Sequence, residues 1–214
     1  MNHFADMRSS LPRARDQGQR PTCLAFAVSD AHMLVTGQGG LLSPEYLHFH
    51  ASKRAAVSLN EAVSVAQIRE ALRLDGQPLE VACPYSDRRN NSWKPPVQLA
   101  SLWRHDSNAY SGVPSSLLSH ALLAGHCPVL VLEISRSFHY PDPATANILE
   151  DGRDEKRYHA VLAVALTGAA GGDAFMVRNS WGDGWGFAGH AWLSSAYVNK
   201  RTISILAIGW ENTV

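Results

Sequence analysis

The sequence predicts an α+β fold, helical in its first half and β in its second. Three observations carry that expectation. A nearly all-apolar, helix-forming stretch opens at Cys23. Two helix-start signals follow, at Ser43-Pro44 and at Ser64. Beyond about residue 128 the apolar residues fall instead into short β-type runs between turn residues. Helices first and strands afterwards argue α+β rather than an alternating α/β order. With 214 residues, 45% hydrophobic and 18% charged, the chain is long enough for a sizeable core.

Residues 1–22 read as extended or irregular, punctuated by Pro12, Gly18 and Pro21. A helix is expected from Cys23 to about Thr36, stopped by Gly37. Its apolar residues wrap most of the circumference, which marks a buried helix. A second helix takes Ser43 as cap and Pro44 as its first residue, and runs to about Arg54. Ser64 caps a third, Val65 to Leu74, which Gly76 closes. The Pro-, Asn- and Ser-rich stretch from Gln77 to Asn108 reads as a long connection. A short helix is expected from Pro114 to Ala124, then a buried strand from Pro128 to Ile134. Residues 137–157 read as loop. Strands follow at His159 to Leu166 and, after the Gly171-Gly172-Asp173 turn, at Ala174 to Asn179. Two more are expected at Gly189 to Leu193 and Thr202 to Ile208.

Composition excludes several classes. The formal net charge is zero, so neither nucleic acid nor a membrane surface is an expected partner. The N-terminus has no apolar signal region, and no run approaches the roughly 20 residues that span a bilayer. The three cysteines are far apart and form neither a disulfide framework nor a metal knuckle. A reducing, cytoplasmic setting is the expectation. Ten histidines are present, but none shows metal-ligand spacing. His48 and His50, two apart on a helix, do not share a face. No metal and no cofactor is expected.

The chemistry gathers at both ends of the chain. At the start of a helix, Cys23 would meet unpaired N–H groups and the positive end of the dipole, which favours the thiolate. Gln17, six residues upstream, carries an amide that can donate to a developing oxyanion. His159 begins an apolar strand and Asn179 ends the next. After Asn179 comes Ser180-Trp181-Gly182-Asp183-Gly184-Trp185-Gly186, whose glycines imply special backbone angles. Taken singly, each residue has a bland reading as packing or turn. Taken together, the polar Asn at a strand end and the alternating Gly and Trp that follow are hard to explain as packing alone.

These residues resemble a papain-like cysteine peptidase. The matches are Gln17-Gly18 with Cys23-Leu24-Ala25-Phe26, then His159-Ala160-Val161, then Asn179-Ser180-Trp181-Gly182. His159 follows Cys23 by about 136 positions, within the roughly 130–150 typical of that family. Ser43-Pro44-Glu45, Cys83-Pro84-Tyr85 and Gly125 to Val131 also match in order, so the likeness runs from about Asp6 to Ser194. It implies one domain over residues 1–214. Residues of about 23–108 would form a mainly helical lobe and about 109–200 a β-barrel-like antiparallel lobe. The termini would cross between them, with an active-site cleft at the junction. It also implies roles. Cys23 attacks a peptide carbonyl as one member of a thiolate–imidazolium pair. His159 acts as acid and base, and Asn179 orients it. Gln17 and the Cys23 N–H form the oxyanion hole. Trp181 shields the Asn179–His159 bond from water, and Arg157, Tyr158, Ala160 and Trp181 line the substrate site. The substrate would be a protein or peptide.

Departures from the family pattern carry their own expectations. Many secreted members have a disulfide-bonded cysteine three positions before the nucleophile, where this chain has Arg20. Pro21 stands where glycine is usual, and Leu24 replaces a tryptophan. Leu59 to Ser64 has no glycine where a substrate-binding pair is usual. Arg157 is expected to draw an acidic or polar side chain into the main pocket. Only 22 residues precede Cys23, so the reading is a bacterial-type member without propeptide or disulfides, restrained by a regulatory partner or a fused domain. The same triad also serves amidases, deamidases and acyltransferases, and an inactivated binding module is a further class.

Overall fold

A computed structural model describes residues 3–112, 115–142, 144–147, 154–169 and 172–211. Helix α1 (Cys23–Thr36) is buried along most of its length. Gly37 ends it in the left-handed region, at φ 63°. Helix α2 (Pro44–Ala55) starts as expected: the Ser43 side chain accepts from the Tyr46 N–H, and Pro44 is its first residue. Helix α3 (Val65–Leu74) opens with a capping box between Ser64 and Gln67. These local signals need no tertiary context, which is why the three helices were readable from sequence.

Seven strands form one antiparallel sheet: β1 (His3–Asp6), β2 (Ser107–Ser111), β3 (Val129–Ser135), β4 (Asp154–Ala169), β5 (Gly172–Arg178), β6 (His190–Ser194) and β7 (Thr202–Ile208). The order is β2-β7-β3-β4-β5-β6, and β1 pairs the far end of β4. Among the described residues β2 and β6 do not pair with each other, so the sheet is open rather than a closed barrel. The period-2 alternation of each strand feeds two cores. On one face, Val129, Leu162, Val164 and Leu206 pack beneath α1, α2 and α3. On the other, Leu130, Leu132, Val161 and Ile205 pack against α4 (Ser115–Leu123) and α5 (Ser195–Arg201). A register shift between Ala163 and Ala165 turns both Val164 and Ala165 towards the α1 face.

Four features differ from the sequence expectation. Strand β1 lies in the supposedly irregular N-terminus, because β4 runs past β3 and offers residues 165–167 for pairing. Strand β4 begins at Asp154, inside the predicted loop, and a 3-10 turn spans Arg136–His139. Helix α5 was missed: seven residues are too few to show a period, although Ser194 caps it through the Tyr197 N–H. Strand β2 begins at Ser107, inside the predicted connection. The helix start at Pro114, the turn residue Gly171 and residues 151–153 lie outside the described residues.

Candidate active site

Helix α1 points its first residue, Cys23, into a cleft of about 550 Å³ that His159, Gln17 and Trp181 also line. Thr22, the cap residue, makes no side-chain cap bond. Its hydroxyl instead meets the Tyr85 hydroxyl at 2.9 Å. The first-turn N–H groups are therefore left for the sulfur, and those of Cys23 and Leu24, with that of Ala160 from β4, point at it. Burial nevertheless dominates and pushes the Cys23 thiol above its ordinary value, with these three N–H groups opposing.

His159 stands in β4, 5% exposed, its ring 4.5 Å from that of Trp181 and 5.8 Å from that of Phe138. Its Nε2 lies 2.7 Å from Asn179 Oδ1. That oxygen also accepts the Ser180 N–H at 2.8 Å, which fixes it as oxygen rather than amide nitrogen. An oxygen can only accept, so Nε2 carries a proton and donates. In the neutral ring Nδ1 is then the basic nitrogen. Burial pushes His159 down to about 4, with the Asn179 bond raising it and nearby His139 lowering it.

Neither isolated charge is favoured here, contrary to the expected resting thiolate. Helix-end N–H groups alone do not outweigh the loss of water. Cys23 and His159 line the same cleft, so in that setting a charge on either one is better tolerated when the other carries the opposite charge.

Gln17 is held on three sides. Its N–H donates to the Ser180 carbonyl at 2.9 Å. Its Oε1 accepts from Ser180 Oγ at 2.6 Å, and its Nε2 donates to the Arg20 carbonyl at 2.7 Å. An amide nitrogen has two protons, and the second is left for the cleft. Ser180 therefore aligns both the Gln17 amide and Asn179. It sat within the quoted motif but received no role from sequence, since its partners lie 163 positions away and next door. A buried ion cluster was also missed. Asp30 of α1 meets Arg15 at 2.6 Å and Arg178 at 2.8 Å, joining the helix that opens at Cys23, the Gln17 segment and the strand leading to Asn179. Burial raises the Asp30 carboxyl, but the two guanidinium groups outweigh it and hold it below its usual range.

The predicted substrate-binding residues divide between two places. A second pocket, about 290 Å³, adjoins Cys23 and His159 and is walled by Val63, Val65, Val131, Ala160 and Ile203. Tyr158, 66% exposed, lines both cavities. Arg157 lines the larger cleft beside His139 and Trp181, and is absent from the apolar pocket. Trp181 covers His159 on one side and stacks on His139 on the other, centroids 5.1 Å apart. His139 Nε2 in turn meets Glu155 at 2.9 Å. His48 and His50 diverge, one onto the Leu59 carbonyl and one onto Asp75. Among the described residues no cluster has the make-up of a metal site, and no helix is long and apolar enough to cross a membrane.

The family description "Papain family cysteine protease" matches residues 2–209 of the chain. The chain belongs to that family. Two curated relatives are digestive cysteine proteinase 2 of Homarus americanus, 25% identical, and cysteine proteinase 3 of Dictyostelium discoideum, 23% identical. Both alignments take in 94% of this chain, which spans 63% and 60% of those proteins. Among solved structures, xylellain, a cysteine protease from Xylella fastidiosa, superposes with a TM-score of 0.80 at 18% identity, over 97% of this chain and 86% of that one. Bromelain from Ananas comosus, solved with the E64 inhibitor, gives 0.72 at 18% identity, over 96% and 98%. These likenesses establish the papain-like fold, helices on one side and an antiparallel sheet on the other.

Proposed function

We propose that this papain-family chain hydrolyses peptide bonds through a thioester on Cys23. The observation that carries the reading is the 2.7 Å bond from His159 Nε2 to Asn179 Oδ1. It leaves Nδ1 as the nitrogen that exchanges a proton with the cleft Cys23 occupies. The thiol proton moves to Nδ1, and the sulfur attacks the peptide carbonyl carbon. The carbonyl oxygen, now negative, accepts hydrogen bonds from the free Gln17 amide N–H and the Cys23 N–H. Collapse breaks the C–N bond as imidazolium Nδ1 protonates the leaving amine. Water then attacks the thioester, gives its proton to Nδ1, and releases the acid and the Cys23 sulfur.

The apolar pocket beside Cys23 supports recognition of an apolar substrate side chain. Arg157 has no ion-pair partner among the described residues, and its place beside Trp181 supports selection of an acidic side chain elsewhere along the cleft. The three free thiols support a reducing compartment. Digestion of a peptide library, with product termini read by mass spectrometry, tests the reading. Hydrolysis with an apolar residue enriched at one position and an acidic one at another is expected, and Arg157→Ala should remove only the acidic enrichment. Transfer of the acyl group to added amines in preference to water would favour an acyltransferase. An identical profile for Arg157→Ala would exclude the role given to Arg157.

A further inference from the structure

Arg20 stands three positions before the nucleophile, 4% exposed, and its partner Glu45 at the start of α2 is fully buried. One terminal nitrogen of Arg20 reaches the two Glu45 oxygens at 3.0 and 2.7 Å and the Ser86 carbonyl at 2.7 Å. The other reaches the Leu59 carbonyl at 3.1 Å. The guanidinium also lies 5.2 Å from the Tyr85 ring centre, and Glu45 accepts the Ser86 N–H at 3.1 Å. One side chain thus ties the approach to Cys23 to α2 and to two loops. A buried ion pair is a poor way to gain stability, since apolar residues of similar volume serve as well or better. What this pair does secure is the Arg20 backbone, whose carbonyl holds Gln17 Nε2 at 2.7 Å. The Tyr85 hydroxyl, from the same group of segments, donates to the Gln17 carbonyl at 2.7 Å.

We infer that the buried Arg20–Glu45 pair is an ionic cross-link that positions the Gln17 amide of the oxyanion hole, through the Arg20 carbonyl, alongside Ser180. It keeps the Gln17 amide aimed at the cleft in a chain whose cysteines are all free. Arg20 and Glu45 act through Gln17 and are positioning residues. The inference rests on the proposed role of Gln17, so the test carries a Gln17→Ala control.

The experiment compares kcat and KM on a fluorogenic peptide amide with the rate at which iodoacetamide alkylates Cys23. Alkylation displaces iodide and develops no oxyanion, so it reports on the Cys23–His159 pair alone. For Glu45→Gln, kcat should fall about 10- to 100-fold with KM and alkylation rate each within about twofold. The apolar pair Arg20→Met with Glu45→Leu should fold and show the same split, which keeps the test valid if the single variant unfolds. Alkylation slowing in step with kcat would overturn the inference, because the pair would then support the whole nucleophile region. An unchanged kcat in the pair variants, with kcat lost in Gln17→Ala, would also overturn it while leaving the role of Gln17 intact. A wild type that cleaves no peptide amide removes both.

Discussion

Asn179 Oδ1 and Ser180 Oγ are two atoms on which much of the site turns. The first accepts from both His159 and Ser180, and so sets the tautomer of the His159 ring. The second fixes which end of the Gln17 amide faces the cleft. Ser180→Ala removes that second constraint without touching the Cys23–His159 pair. Its kcat on a peptide amide should fall about tenfold, less than the 10²–10³ typical of losing an oxyanion donor outright. Fold stability should change by about 1 kcal/mol, the worth of one hydrogen bond. Unchanged turnover in Ser180→Ala would mean that the Arg20 carbonyl alone holds Gln17. Sequence motifs singled out Cys23, His159 and Asn179, and the structure brings His159 and Asn179 into one hydrogen bond beside the cleft that Cys23 lines. They were silent on Ser180, because a serine between two motif residues carries no pattern of its own.

At the scale of elements, the helices were legible because their caps are local, as Ser43, Ser64 and Gly37 demonstrate. Strand β1 and helix α5 were not, since one depends on pairing with a strand far along the chain and the other is only seven residues long. The glycine-rich turn after Asn179 shows what sequence can and cannot say. Its glycines implied special angles, and Gly189, just beyond the quoted motif, has φ 81°. A methyl group there would collide with the Ala14 Cβ and crowd the Gly182 carbonyl. The Gly189 carbonyl also accepts the Asn179 N–H at 2.9 Å. Gly189→Ala should therefore cost about 2 kcal/mol or more, seen as a Tm roughly 5 °C lower by calorimetry. An unaltered Tm would show that the turn relaxes without strain.

For the molecule as a whole, its buried histidines determine how stability changes with acid. Burial pushes His32, His48 and His159 each down to about 4, against 6.5 when exposed. Between those values the unfolded chain binds protons that the folded chain refuses, so stability rises with pH and falls on acidification. The loss begins near pH 6.5 and grows towards pH 4, up to about 3 kcal/mol for each histidine. Asp30, held below its usual range by Arg15 and Arg178, adds a loss of the same sign at lower pH. Urea midpoints should drop steeply from pH 7 to pH 4.5, and a flat profile would contradict the burial of these rings. None of this was visible in the sequence. A histidine on an apolar helix face reads alike whether it is a ligand, a base or a packed core ring, and only the closing of α1, α2 and the sheet around it decides.

In the proposed mechanism His159, oriented by Asn179, makes Cys23 the reactive thiol of this chain. Treatment with a peptidyl vinyl sulfone at neutral pH, followed by peptide mapping in a mass spectrometer, tests it directly. A single adduct on Cys23 is expected, lost in His159→Ala, where burial keeps the isolated thiol protonated. Equal labelling of Cys83 or Cys127, or a Cys23 adduct that forms as fast without His159, would contradict it.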